Sequence, residues 1–218
     1  MQKSKKTINS APKASSRPRG RPRAFDRDAA LGKATRLFWR KGYEATSIAD
    51  LTEALGVGAP SLYAAFGSKE ELYAEALRYY SANYEALFWA NFQSAETARE
   101  AVRSLLMDSA AVMSGCRGDL PNGCMVALSS VASEGYEQLG ALVRSARALG
   151  LRRLKARLKK AVAEGELPAS VDSAALARFV QTVQAGMSIL ARDGASRSEL
   201  EGVAKTAMAG WDALTGGK

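Results

Sequence analysis

No histidine occurs among the 218 residues, which removes His-based catalytic triads, the commonest general base and every His-containing zinc site. Cysteine is nearly absent as well. Cys116 and Cys124 are too few to staple a secreted domain and lack the C-x-x-C spacing of a redox or zinc motif, so a reducing cytoplasm is the expected location. No long apolar run is present: the first 24 residues contain none, and the stretch 174–191 is interrupted by Arg178, Gln181 and Gln184. Neither a signal peptide nor a membrane span is therefore expected. Walker, G-x-G-x-x-G and G-x-S-x-G patterns are missing, so no catalytic residue, metal site or cofactor is expected and an enzyme is the weakest reading. Proline is scarce beyond the N-terminus, with only Pro60, Pro121 and Pro168 after residue 24.

The charge that is present is unevenly placed. Thirty-one Lys+Arg oppose 22 Asp+Glu, a net +9 with an isoelectric point near 9.7, which makes a polyanion the first partner to consider. Residues 1–24 hold eight basic side chains and no acid, leaving the remainder almost neutral. With Pro12, Pro18, Pro22 and several serines, this arm cannot bury enough apolar surface to offset its chain entropy, and it is expected to be disordered without a partner.

From Phe25 onward apolar residues recur every three or four positions without period-two alternation, so the body is expected to be all-α. Asp26 caps a first helix with inner positions Ala30, Ala34, Leu37 and Phe38, and Gly42 stops it. Thr46 or Ser47 caps a second helix through Leu55, ended by Gly56. Pro60 suits the first turn of a third, over Ala59–Phe66. Ser68 with Glu71 reads as a capping box opening the fourth. Later helices are expected over Ser68–Phe92 with a break near Asn83, Thr97–Ser114, Gly123–Ala132, Tyr136–Glu164, Ser173–Arg192 and Ser196–Leu214. This divides the chain into a basic arm (1–24), a three-helix head (25–80) and a larger helical domain (81–218).

Two short helices joined by a glycine turn, with a third helix across them, make a helix-turn-helix. The residues carry a more specific likeness. Gly42-Tyr43-Glu44-Ala45-Thr46-Ser47-Ile48, Leu55-Gly56-Val57, Ser61-Leu62-Tyr63, Phe66 and Lys69-Glu70-Glu71-Leu72 resemble the N-terminal signature of the tetracycline-repressor (TetR) family. The resemblance implies a homodimeric regulator that binds double-stranded operator DNA and is released by a small-molecule effector. It also implies phosphate contacts from Thr46, Ser47, Tyr63 and Lys69, and base contacts from Gly58, Ala59, Pro60, Ser61 and Ala64. This chain departs from the usual pattern in placing Ala64 and Ala65 between Tyr and Phe. No Arg, Asn or Gln is then available on that helix for a bidentate base contact, and its specificity should be modest.

The arm offers a second mode. Pro18-Arg19-Gly20-Arg21-Pro22 resembles an AT-hook core, in which Arg19, Gly20 and Arg21 lie extended along a narrow minor groove. Non-specific attraction to phosphate, and no role in DNA binding, stay open beside it. Residues 25–80 carry seven basic and eight acidic side chains, so the head alone has little long-range attraction for DNA. A low-specificity DNA-organising protein is accordingly the alternative reading.

In the resembled family the last two helices pack on their symmetry mates. Here Phe179, Val183 and Met187, with Leu200, Val203, Ala207 and Trp211, provide apolar faces for such a dimer, though completing the protomer's own core would need the same pattern. An effector pocket like the family's would draw on Tyr80, Tyr84, Phe88, Trp89, Phe92, Leu106, Met113, Met125 and Leu128, a mostly apolar wall without a cluster of charge. Cys116 lies beside Arg117, and Cys124 lies near a helix N-terminus; both settings lower a thiol pKa and open a thiol-sensing alternative. Arg144–Lys160 contains eight basic residues and no acid. It is read as the solvated face of a core helix rather than a membrane-surface helix, with tolerance of an anionic ligand left open beside that.

Overall fold

The structure, a computed structural model, describes residues 25–115, 118, 120–129 and 136–216. The arm with Arg19, Gly20 and Arg21, and Cys116 with Arg117, lie outside the described residues. All regular structure within them is α-helical. No helix among them is long and apolar enough to cross a membrane.

Helix α1 (Arg27–Lys41) begins where the Asp26 carboxylate accepts the Ala29 N–H at 3.0 Å, and it ends at Gly42, whose φ of +79° only glycine adopts cheaply. Its buried stripe is Ala30, Leu31, Ala34, Phe38 and Trp39, while Leu37 is only half-buried. Helix α2 (Ile48–Leu55) is capped by Ser47 rather than Thr46, in a reciprocal box with Asp50. Helix α3 (Ala59–Phe66) carries Pro60 in its first turn. Helix α4 (Lys69–Tyr84) starts with Ser68 accepting from the Glu71 N–H. It runs unbroken past residue 80, so no linker separates head from body.

The expected helix to Phe92 is two pieces. The break falls at Glu85, where the Phe88 and Trp89 N–H groups both reach the Glu85 carbonyl (3.0 and 3.3 Å) in a tightened turn; α5 (Ala86–Ser94) follows. Helix α6 (Ala98–Met113) has the Thr97–Glu100 capping box. Where a helix over Gly123–Ala132 was expected, α7 covers only Met125–Leu128. Helices α8 (Glu137–Ala163) and α9 (Ser173–Arg192) agree with their apolar spacing. The last expected helix divides at Gly210 into α10 (Arg197–Ala209) and α11 (Trp211–Thr215).

Helix α1 lies along α4, α5 on α6, α6 on α10, and α8 on α9. One contiguous cluster of buried apolar side chains runs from Leu51 and Leu62 in the head through Tyr80 to Met187 and Trp211. Burial thereby helps seat the N-terminal three-helix bundle on a larger helical layer, at roughly 25 cal/mol per Å² of apolar surface removed from water.

Candidate functional site

The packing of α2 and α3 is fixed by Leu51, Leu55, Leu62 and Phe66, all buried. That leaves Gly58, Pro60, Ser61, Tyr63 and Ala64 exposed on one side of α3, with Ala59 half-buried. Tyr63, 46% exposed, is the largest group on this face. The side of α3 expected to face outward therefore does so.

Thr46 departs from expectation. It is buried, and its hydroxyl donates to the Gly42 carbonyl at 2.6 Å, so it stabilises the turn instead of standing free at the surface. Ser47 is exposed but committed: its N–H and hydroxyl both meet the Asp50 carboxylate at 2.8 Å. Lys41 completes this arrangement at 2.7 Å from Asp50. The Lys41 and Ser47 hydrogen bonds hold the Asp50 carboxyl far below the usual carboxylate range. The helix N-terminus expected to await a phosphate thus already holds an intramolecular anion.

Lys69 sits 4.2 Å above the Tyr43 ring, and the Tyr43 hydroxyl donates to Glu70 at 2.7 Å. Burial first, then the bond to Glu70, pushes the Tyr43 phenol well up, while the same bond lowers Glu70. Arg27 holds the far end of the head, reaching the Ala65 carbonyl at 3.2 Å and Glu75 at 2.7 Å with its guanidinium over Phe66.

The head is bolted to the body through the end of α1. The Trp39 indole donates to the Gly123 carbonyl at 3.1 Å and stacks edge-on against Tyr80, with ring centroids 4.9 Å apart. From α9, Arg192 donates to the carbonyls of Trp39 and Arg40, which the helix end otherwise leaves unpaired. Gly123 has φ +81°, and a Cβ there would stand 2.5 Å from Leu128 and 2.9 Å from the Ser188 carbonyl. Cys124 follows at once, its N–H on the Ser188 hydroxyl at 2.8 Å and its sulfur accepting from Tyr80 at 3.2 Å. Sequence reasoning missed Trp39, Gly123 and Arg192 as a unit because they come from three distant segments.

Behind this junction lies a cavity of about 740 Å³ between α4, α5, α7, α8 and α9. Of the expected pocket residues, Tyr80, Phe88, Trp89 and Met113 line it. The others do not. Tyr84 packs on Trp39 and Tyr80, Phe92 lies edge-on behind Trp89, and Leu106 and Met125 are core. Leu128 lies beside Gly123. The wall is also charged, contrary to the apolar expectation, for it includes Arg144, Arg147 and Arg178 with Glu85, Gln181 and Gln184. The first two open the basic run expected to face solvent; both are exposed, and they line the cavity as well.

The presumed dimer faces divide similarly. Met187, Leu200 and Trp211 are buried within the protomer and cannot contact a partner as it stands. Val183, Val203 and Ala207 are half-buried, whereas Phe179, Ile189, Leu190 and Leu214 are 41–56% exposed. Among the described residues, no group of three or more His, Cys, Asp or Glu side chains is placed to hold a metal ion.

Comparison with known proteins bears on this arrangement. The profile of bacterial regulatory proteins of the tetR family matches residues 30–76. The HTH-type transcriptional repressor ComR of Escherichia coli (strain K12) is 41% identical over 203 residues, spanning 90% of this chain and 93% of that protein. A cysteine mutant of the TetR family transcriptional regulator CifR, complexed with a 26-bp double-strand operator DNA, superposes with a TM-score of 0.80 at 38% identity, covering 87% of this chain and 98% of that one. A TetR transcriptional regulator from Chloroflexus aurantiacus J-10-FL shares the fold at a TM-score of 0.73 and 23% identity, over 84% and 92% of the two chains.

Proposed function

Since this chain belongs to the TetR family and is a sequence-specific DNA-binding transcriptional regulator rather than an enzyme, we propose that it is a cytoplasmic homodimeric repressor released from its operator by a small molecule. The observation that carries the reading is the exposed α3 face, Gly58, Pro60, Ser61, Tyr63 and Ala64, on a chain similar throughout to a regulator solved on operator DNA. In this reading Ser61, Ala64 and their neighbours meet base edges, while Tyr63 and Lys69 meet phosphate and Ser47 joins them by turning its hydroxyl from Asp50. Thr46 holds the turn that aims them, and Arg19, Gly20 and Arg21 follow the minor groove.

Dimerisation places two α3 helices roughly 34 Å apart, one turn of DNA. It uses Phe179, Val183, Ile189 and Leu190 on α9 with Val203, Ala207 and Leu214 behind them. The effector occupies the cavity in the domain 81–218. Release follows from linkage: a ligand that favours one position of Tyr80 and Gly123 shifts Trp39 and the head with it, so ligand and operator favour different spacings of the two heads. The Trp39–Gly123 and Arg192–α1 bonds are the physical connection that transmits this difference.

The test is binding to DNA from beside the protein's own gene against a random duplex of equal length at physiological salt, with residues 25–218 in parallel. Preference for the local DNA, kept but weakened by the truncation, supports the operator-reading regulator. Equal binding to both duplexes, lost with the arm, would favour a DNA-organising protein instead.

A second reading has one observation in its favour. Cys124 stands in the cavity wall with its sulfur on the Tyr80 hydroxyl, so its oxidation would disturb the same junction. Oxidant titration of operator affinity tests it. A Cys116→Ser/Cys124→Ser protein that responds as the parent does would exclude thiol sensing.

A further inference from the structure

The cavity carries more positive charge than its neighbours neutralise. The residues lining it include three arginines, Arg144, Arg147 and Arg178, against one acid, Glu85. Glu85 is already ion-paired with Arg153, whose guanidinium lies 5.3 Å from the centre of the Trp89 ring. Arg147 spends its hydrogen bonds on the carbonyls of Val126, Ala127 and Ser129 and so fixes the end of α7, and no acid among the described residues is ion-paired with it. Arg144 and Arg178 differ from both, since neither guanidinium has an ion pair or a hydrogen bond among the described residues.

These groups share one stretch of wall. Gln181 donates to the Arg147 carbonyl at 3.1 Å, which ties α9 to α8 at that level. Helices α8 and α9 run antiparallel, with Tyr136 and Arg192 both beside the head, so Arg144, one turn before Arg147, and Arg178, one turn before Gln181, flank that level from opposite sides, about 9 Å apart along the helix axes. Long flexible stems let both heads close on a guest at the rim. The same wall also includes Phe88, Trp89, Met113 and Leu154, all buried and apolar.

We propose that the ligand of this cavity is an amphipathic oxyanion, a carboxylate or phosphate ester on an apolar body, with the oxyanion held by Arg144 and Arg178 and the body against Phe88, Trp89 and Met113. This rests on the cavity being the effector site and names the chemistry it selects. A desolvated body supplies affinity, and the paired guanidinium groups supply the preference for negative charge, charge-assisted bonds being about twice as strong as neutral ones.

Calorimetric titration of the full chain, free of DNA and at physiological salt, with octanoate, octyl phosphate, 1-octanol and octylamine tests the proposal. At least one of the two anions should bind about tenfold tighter than 1-octanol, and octylamine more weakly still. Octanoate ahead of octyl phosphate would identify a carboxylic acid, and the reverse order a phosphate ester. The double substitution Arg144→Gln/Arg178→Gln, at two exposed positions, should lose about tenfold for the anion and leave 1-octanol and the melting temperature unchanged. One-octanol binding as tightly as both anions, an anion held equally well by the double variant, or no binding of any probe would overturn it. Because no DNA is present, an anion that binds here yet leaves operator affinity unchanged counts against effector release and not against the ligand class.

Discussion

Replacing Arg192 by Gln removes the one side chain among the described residues that caps the end of α1 from another helix. The carbonyls of Phe38, Trp39, Arg40 and Lys41 have no partner within α1. Gly42 serves the first at 2.7 Å, and Arg192 serves the next two. A hydrogen bond from a charged donor is worth about 1.5–3 kcal/mol, but the gain here is offset. Burial of Arg192 lowers its pKa, and its Nε is buried without a partner, so charge has been taken from water at a cost. Arg40 is exposed, and water can replace Arg192 at its carbonyl. The net loss should be about 1–2 kcal/mol, which at roughly 2–4 °C per kcal/mol for a chain of this size is a fall of about 2–8 °C in melting temperature. Thermal unfolding must be compared at one protein concentration, because dimerisation adds to stability.

The more discriminating result is a cycle with Trp39→Phe, which removes the indole bond to Gly123 at the same junction. Residues sharing a network couple by about 0.5–3 kcal/mol. Val143→Ala on α8 removes two buried methyl groups, about 1.6 kcal/mol, and serves as an equally destabilised control on a helix that supplies neither the Trp39–Gly123 nor the Arg192 bonds. Operator affinity should fall more with Arg192→Gln than with Val143→Ala. A melting temperature lowered by less than 1 °C, strict additivity with Trp39→Phe, and operator affinity no different from the control would together refute the junction as the connection between body and head.

Gly123→Ala forces a side chain into a left-handed backbone against Leu128 and the Ser188 carbonyl, and should cost roughly 2–4 kcal/mol by strain and overpacking; an unchanged melting curve would contradict the packing described. Tyr63→Ala, at an exposed position on α3, should leave stability within about 0.5 kcal/mol while weakening operator binding about tenfold in a filter or anisotropy assay, and equal weakening on random DNA would mark it as a phosphate contact. Stability should also depend on pH in two windows. Glu70 and Glu199 have folded pKa values below their unfolded ones, through bonds from Tyr43 and from Ser196, so the stability they add is present above about pH 4 and is lost as pH falls further. Burial raises Tyr43, Tyr73 and Tyr80, so their contribution is complete below about pH 10 and is lost above it as the unfolded phenols ionise. A melting temperature flat from pH 3 to 11 would be inconsistent with both.

The head was legible because its signals are local. A cap, an apolar stripe and a stop lie within one helix length, and Asp26, Ser47, Gly56 and Pro60 each act through the backbone beside them. The bounds of α9, Ser173–Arg192, follow from the same kind of information. Breaks at Glu85 and Gly210 were misplaced or missed, since the apolar period continues through both. Thr46 was misread for a related reason: a hydroxyl at a helix start can serve a ligand or its own turn, and the 2.6 Å bond to Gly42 decides which.

What the sequence determined by itself is helicity, the outward face of α3 and the concentration of positive charge in the first 24 residues, all set by short-range sterics, capping and composition. Tertiary structure alone decided what each apolar or charged stripe faces. Met187, Leu200 and Trp211 close the protomer's own core, while Phe179 and Leu190 on the same two-helix layer are left outside it. Arg144 and Arg147, on the solvated side of a basic helix, also edge a cavity, and Trp39, Gly123 and Arg192 meet across 84 and 153 positions of chain. A stripe's period is a property of one helix, but its partner is fixed only when every helix competes for the same buried volume.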